Sequence, residues 1–152
     1  MVRILRYFSN TFAGPVRDSG LRHLFSTMSH FKTSAKTLYF NTRDEVIKVR
    51  LDRVMCFEAD ANYCHVTFVN GARATLLTSL VNIETLINDY NNGSETVFVR
   101  IGKRYIVNSQ YIFRINIPRQ LLALADFDGG KVVELNVSKE ALKNLKQLYT
   151  SK

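Results

Sequence analysis

Three cations stand close together in a segment whose apolar residues otherwise alternate like those of a buried β-strand. Arg100, Lys103 and Arg104 lie in residues 98–113, "FVRIGKRYIVNSQYIF", beside Gly102. Because glycine adopts a positive φ without strain, it lets the chain turn and present Lys103 and Arg104 outward. Cations on a loop next to a rigid strand suit DNA phosphates or the edge of a guanine. From the residues alone, a solvated loop is an equally good interpretation.

Arg100 differs from the other two cations because it falls within the strand alternation. It shares a side with Phe98, two residues away, since side chains on a strand point alternately to opposite faces. The pattern therefore predicts an interior guanidinium that is bonded to carbonyl groups or to an acid such as Glu58.

Residues that could act as catalysts or metal ligands are few and poorly placed. Cys64 is adjacent to His65, but neighbours on a strand point to opposite faces and cannot easily share one ligand. Glu58 and Asp60 could share a strand face, although such a pair is more often a solvated surface than an acid–base dyad. The sequence therefore predicts no enzyme, no metal and no cofactor. Cys56 and Cys64 are expected to be free thiols in a reducing cytoplasm.

The charge balance favours an anionic partner. The 152 residues carry a formal net charge of +8, which suits nucleic acid, an acidic protein or an anionic membrane surface. Residues 1–36 hold six basic side chains against one acid, so +5 of that charge lies there and +3 in the remainder. No apolar run approaches the length of a membrane-spanning helix, so none is expected.

The first 36 residues differ in pattern from the rest of the chain. They are basic and poor in acids, a composition shared by organelle transit peptides and by basic amphipathic arms. Gly14 and Pro15 would interrupt a long helix, and Met28 offers a second starting point. We expect residues 1–36 to be a poorly packed N-terminal extension and residues 37–152 to be the folded domain.

From Thr37 the pattern predicts short strands joined by hairpins, with two helices. Asn70-Gly71 indicates a two-residue hairpin turn in which both residues have positive φ. "TSLVNIETLINDY" predicts a helix capped by Thr78 or Ser79, with its apolar stripe inward. A last helix starts at Ser138, with Leu142, Leu145 and either Leu148 or Tyr149 facing inward.

Four blocks of sequence in this order resemble the LytTR family, the DNA-binding output domain of many bacterial response regulators. They are "VMCFEADANYCHVTF", "TSLVNIETLI", "FVRIGKRYIVNSQYIFRI" and "LNVSKEALKNL". The resemblance covers residues 38–148, almost three quarters of the chain. It implies a mainly β fold, an elongated stack of antiparallel sheets of about ten short strands with one internal helix and one C-terminal helix.

The resemblance also implies how DNA is bound. In that family loops, and no recognition helix, enter successive major grooves of double-stranded DNA. The matching loops are residues 60–65, 102–104 and 137–139, and a second copy on repeated half-sites is a further option. Asn108 would be structural and tie the following turn to the backbone. The residues expected to contact DNA are Asn62, His65, Lys103, Arg104 and Lys139.

This sequence departs from the family at two positions and leaves two other classes open. The family usually has a histidine where Gly102 stands and a small hydroxyl residue where Arg104 stands, so the operator sequence stays open. Residues 1–36 lack the length and pattern of a phosphoacceptor receiver domain. The alternatives are a β-rich interaction module for an acidic protein or anionic surface, and an RNA-binding domain with bases stacked on Tyr63 and Tyr105.

Overall fold

The computed structural model describes residues 3–5, 36–92 and 95–150. They form eleven β-strands in three antiparallel sheets, together with two α-helices and two short 3-10 turns. This confirms the predicted mainly β fold with one internal and one terminal helix. The chain divides into two compact units, residues 1–53 and 54–152.

The first unit contains one three-stranded sheet in the order β1-β2-β3. Its strands are β1 (Arg3–Leu5), β2 (Thr37–Asn41) and β3 (Val46–Arg50), followed by a 3-10 turn at Leu51–Arg53. Strands β2 and β3 form one of the hairpins expected from Thr37 onward, and its turn is closed by the Thr42 hydroxyl, which accepts N–H groups at 3.2 and 3.0 Å. The expectation that residues 1–36 are poorly packed falls almost wholly outside the described residues and stays a prediction.

The second unit contains the other two sheets and both helices. The five-stranded sheet has the order β6-β5-β4-β8-β7, and the three-stranded sheet has the order β11-β10-β9. The elements are β4 (Val54–Asp60), β5 (Tyr63–Phe68), β6 (Arg73–Leu76), α1 (Leu80–Asn91), β7 (Phe98–Ile101), β8 (Tyr105–Asn108), β9 (Ile112–Asn116), β10 (Leu121–Ala125), β11 (Val132–Asn136) and α2 (Lys139–Thr150).

Helix α1 forms as its sequence predicts. The Ser79 hydroxyl accepts the N–H of Asn82 at 3.2 Å and so satisfies one of the free donors at the helix start. At the other end Asn92 adopts a left-handed φ of 49° and its N–H donates to Asp89. The predicted apolar stripe is buried: Leu80, Ile83, Leu86 and Ile87.

One apolar cluster joins both sheets of the second unit to α2. It combines residues of the five-stranded sheet, such as Met55 and Val107, with Leu122 and Leu124 of β10. Helix α2 contributes Leu142 and Leu145, as predicted. The expectation that Leu148 or Tyr149 also faces inward is wrong, because both are exposed in the last turn, outside the cluster.

The β5–β6 hairpin and the segment after β8 show how individual residues shape the connections between strands. The predicted hairpin at Asn70-Gly71 forms, but only Gly71 has a positive φ, 87°. The loop is longer than predicted, because the Phe68 N–H donates to the carbonyl of Ala72 at 2.9 Å. The structural role predicted for Asn108 is confirmed. Its buried amide donates to the Val54 carbonyl at 3.1 Å, and its oxygen accepts the N–H of Gln110 at 3.0 Å.

Candidate nucleic-acid interface

Two of the predicted contact loops lie side by side at one end of the five-stranded sheet. Strand β4 lies between β5 and β8, so the end of β4 borders both the β4–β5 turn (residues 61–62) and the β7–β8 loop (residues 102–104). The Ala59 N–H donates to the Arg104 carbonyl at 2.8 Å, which fixes the two connections to each other.

The β4–β5 turn is tight and presents Asn62 to solvent. Asp60 pairs with Tyr63, which leaves two residues to reverse the chain. Ala61 has a φ of 52°, a left-handed conformation that costs a non-glycine residue about 1 kcal/mol. Asn62 is exposed, and its amide makes no hydrogen bond within the described residues. It is therefore free to meet a base edge or a phosphate.

His65 has much less freedom than its prediction as a DNA contact requires. Its Nδ1 lies 3.0 Å from the Thr75 hydroxyl and its Nε2 lies 2.8 Å from Asp60 Oδ2. The side chain is 25% exposed. With both ring nitrogens engaged, His65 holds Asp60 at the end of β4, and its contact with DNA stays a prediction.

The backbone of the β7–β8 loop is held in place by hydrogen bonds from the Arg100 side chain. Gly102 has a φ of 61°, and a Cβ there would meet no atom within 4 Å. The Arg100 guanidinium donates to the carbonyls of Gly102 at 3.0 Å and Lys103 at 3.3 Å. Lys103 is exposed, and its ammonium forms no ion pair with any described residue. The loop thus offers, within the described part of the chain, an unpaired cation on a fixed backbone.

The acid that pairs with Arg100 is Glu84 of α1, at 2.8 Å. The predicted pairing with Glu58 is wrong, whereas the predicted bonds to carbonyls are confirmed. Arg100 is opposite Ile106, while Glu58 is opposite Tyr105. Tyr105 and Ile106 are neighbours in β8 and point to opposite faces, so Arg100 and Glu58 lie on different sides of the sheet.

Glu58 is paired instead with two arginines. Arg104 Nη2 lies 2.7 Å from Glu58 Oε1, and Arg73 Nη2 lies 3.4 Å from Glu58 Oε2. The Arg104 guanidinium also lies over the Tyr105 ring, 5.5 Å from its centroid. Arginine is protonated throughout the physiological pH range, and Tyr105 and the Glu58 carboxylate raise the pKa of Arg104 further. Its predicted outward position is observed, but it shares a carboxylate with Arg73.

Sequence reasoning did not single out Arg73. The only local signal was the alternation of Arg73, Ala74 and Thr75, which places Arg73 and Thr75 on one face of a strand. Because β6 pairs with β5 and β5 pairs with β4, Arg73 and Thr75 lie on the same face of the sheet as Glu58.

The third predicted loop leads from β11 into α2. The Ser138 hydroxyl accepts the N–H of Ala141 at 3.3 Å and so caps the helix start. Ser138 and Gly102 line the same groove, of about 420 Å³, between β7 and α2. The helix start that carries the exposed Lys139 is therefore adjacent to the β7–β8 loop.

Among the residues that the structure describes, the remaining reactive groups do not form a site. Cys56 and Cys64 are buried and free. Burial raises the pKa of the Cys56 thiol to about 11 and that of Cys64 to about 12, so neither is a nucleophile near neutral pH. Within residues 3–5, 36–92 and 95–150, no cluster of three metal-ligating side chains occurs, and no helix is long and apolar enough to cross a membrane. Tyr105 is buried and Tyr63 is exposed, so of these two predicted residues Tyr63 alone is available for base stacking.

The fold and its loops define a mainly β domain that presents basic loops at one end of a sheet. A family model described as the LytTr DNA-binding domain matches residues 44–150. The chain therefore belongs to this family of DNA-binding domains.

Comparison with solved structures agrees with this assignment. The chain is similar to the LytTr DNA-binding domain of a protein described as a methyl-accepting/DNA response regulator from Bacillus cereus. The two share 24% sequence identity, with a TM-score of 0.52, over 74% of this chain and 95% of that chain. At this identity the likeness shows the fold alone. No curated protein matches the sequence significantly.

Proposed function

We propose that this protein is a bacterial transcription regulator that binds specific duplex DNA sequences by inserting loops into the major groove. The observation that carries the proposal is the β7–β8 loop. It presents Lys103 beside Arg104, next to the β4–β5 turn with Asn62, and neither the Lys103 ammonium nor the Asn62 amide has a partner among the described residues. Membership of a DNA-binding family supports duplex DNA as the partner.

The two helices are poorly suited to read bases. Helix α1 contains no lysine or arginine, and its apolar stripe is buried. Helix α2 has three lysines, of which Lys143 and Lys146 lie beyond its first turn. Loops are therefore left to make the base contacts.

The predicted residues divide between two kinds of contact. Asn62 and His65 are assigned to one groove segment, and Lys103 and Arg104 to another, while Lys139 contacts the flanking phosphates. Separate loops reach more than one groove segment most easily on curved DNA. Bending a site costs on the order of a few kcal/mol, so flexible base steps between the contacted segments are expected.

The cellular setting follows from this partner. A regulator of this kind acts on the chromosome, and we assign it to the bacterial cytoplasm. Binding of a second copy to a repeated half-site is part of the same proposal, because one set of loops reads only a short sequence.

Selection of bound fragments from random duplex DNA, followed by salt titration, tests the proposal. We expect the selected duplex to bind at least about 1,000-fold more tightly than a scrambled duplex at physiological salt. Equal affinity for the two duplexes would show that binding does not depend on sequence and would contradict the proposed specificity. An absence of duplex binding, together with binding to an acidic protein or to anionic vesicles, would favour the interaction-module alternative.

A further inference from the structure

One carboxylate joins two exposed arginines that come from different strands. Glu58 on β4 is 20% exposed, whereas the side chains of Arg73 and Arg104 are 54% and 63% exposed. Arg73 begins the edge strand β6, and Arg104 immediately precedes β8. Both guanidiniums are therefore gathered at the middle strand of the sheet.

The arrangement leaves both guanidiniums able to bind a further anion. A guanidinium carries five N–H donors, and a single nitrogen of each arginine contacts Glu58. Glu58 and the two arginines together carry a net charge of +1, and Asp60, the next acid along β4, is bonded to His65. Exposed ion pairs of this kind contribute little to stability, so stability alone does not explain the cluster.

The cluster lies at the polar end of a sheet face whose other residues, such as Tyr105 and Val107, belong to the apolar cluster. Glu58 is opposite His65, and His65 is opposite Thr75. Directly opposed residues of antiparallel strands share one face, so Glu58, His65, Thr75 and Arg73 form a polar strip across β4, β5 and β6. Helix α1 contacts Arg100 through Glu84, on the other face of the sheet. The strip itself is not covered by α1.

We propose that Arg73 and Arg104 form a phosphate-binding pair positioned by Glu58, which extends the DNA contact from the loops onto the sheet face. The inference rests on the proposed function and adds Arg73 and Glu58 to it. Guanidiniums suit this role because their planar N–H groups match phosphate oxygens. Glu58 is a positioning residue that orients both guanidiniums. Its negative charge also cancels one positive charge of the pair, so it weakens the attraction to the phosphates of DNA of any sequence.

The salt dependence of duplex affinity tests the pair. Each neutralised phosphate contributes about 0.9 to the slope of log affinity against log salt. Arg73→Ala should therefore reduce the magnitude of the slope by about one, and Arg73→Lys should restore most of it. Glu58→Gln keeps a hydrogen-bond acceptor but removes the negative charge. It should increase the magnitude by about one and reduce the ratio of specific to nonspecific affinity.

Lys131→Ala is the matched control. Lys131 packs over Gly71 in the β5–β6 loop, at the end of the sheet away from the β4–β5 turn, so its loss should leave the slope close to that of wild type. Thermal unfolding of each variant without DNA separates lost folding from lost contact.

The possible failures are distinct. If wild type binds no duplex in a salt-dependent way, the proposed function fails. If wild type binds and Lys103→Ala lowers the affinity, but folded Arg73→Ala and Glu58→Gln keep the wild-type slope, the arginine pair is overturned and the proposed function stands. A reduced slope in Glu58→Gln would also contradict the assigned role of its charge.

Discussion

At the scale of single residues, Lys103 and Arg104 are neighbours in different electrostatic states. Lys103 is exposed and forms no ion pair within the described residues, whereas Arg104 shares Glu58 with Arg73. A DNA phosphate or base can reach Lys103 without displacing a carboxylate. Arg104 either keeps its bond to Glu58 and uses its other N–H groups or exchanges one anion for another. Lys103 should therefore be the more sensitive position.

Replacing Lys103 with alanine is expected to weaken binding to a selected duplex without affecting folding. The loss should be about 1–3 kcal/mol if the ammonium contacts a base, or about one unit of salt slope if it contacts a phosphate. Fluorescence titration at several salt concentrations measures both quantities. Lys131→Ala serves as the control. If the folded variant keeps the wild-type affinity and salt slope, Lys103 does not contact DNA.

Sequence reasoning found the cations of this loop but not their partners. Gly102 beside Lys103 and Arg104 is a local signal, and the chain does turn there with a positive φ. The partner of Arg100 depends on which face it shares, and that face is set by the register of β7 on β8 and of β8 on β4. The register between distant segments leaves no local signal in the sequence, so the pattern points to Glu58 although Glu84 is the partner.

At the scale of elements, the β7–β8 loop is connected to α1. Arg100 donates to two loop carbonyls and to Glu84 of the helix. The loop backbone is thus held from one side while Lys103 and Arg104 point outward. A loop that is ordered before binding loses less conformational entropy when DNA arrives.

Arg100→Ala is expected to lower both the free energy of unfolding and the affinity for DNA. Removing the guanidinium takes its donor from two carbonyls and from the Glu84 carboxylate, all of them at least partly exposed, which should cost about 1 kcal/mol of stability. Chemical denaturation and duplex titration measure the two effects. Arg114→Ala is the matched control, since Arg114 is exposed on β9 and forms no ion pair within the described residues. Unchanged stability with reduced binding would instead place Arg100 in direct contact with DNA.

Elements defined by local signals were predictable, and those set by their surroundings were less so. Helix α1 follows from the Ser79 cap and the apolar stripe that begins at Leu80. The inward position predicted for Leu148 required α2 to lie along the apolar cluster to its end, which it does not. The β5–β6 hairpin was found from Asn70-Gly71, but its loop length depended on how β5 and β6 pair.

At the scale of the whole molecule, every predicted DNA-contact residue lies in the second unit, residues 54–152. The family match begins at residue 44 and ends at residue 150. Residues 1–36 carry +5 of the net charge of +8. Charge of this kind acts mainly on phosphates and adds to binding of any sequence.

A chain that begins at Met28 is expected to fold and to keep sequence-specific binding while losing some nonspecific affinity. The truncation removes the strand Arg3–Leu5, which pairs with β2, and it leaves the second unit intact. Thermal unfolding together with titration of selected and scrambled duplexes checks the expectation. A truncated chain that does not fold would show that the N-terminal segment belongs to the core.

Chemical-shift mapping of the labelled protein with a selected duplex tests most directly whether loops read the DNA. We expect the largest changes at residues 60–65, 102–104 and 137–139, with smaller changes along α1. A scrambled duplex, compared at the same salt, separates base reading from general attraction to phosphates. If the largest changes fall on the helical residues 80–87 or 142–149 while the three loops stay unchanged, a helix reads the DNA and the account is wrong.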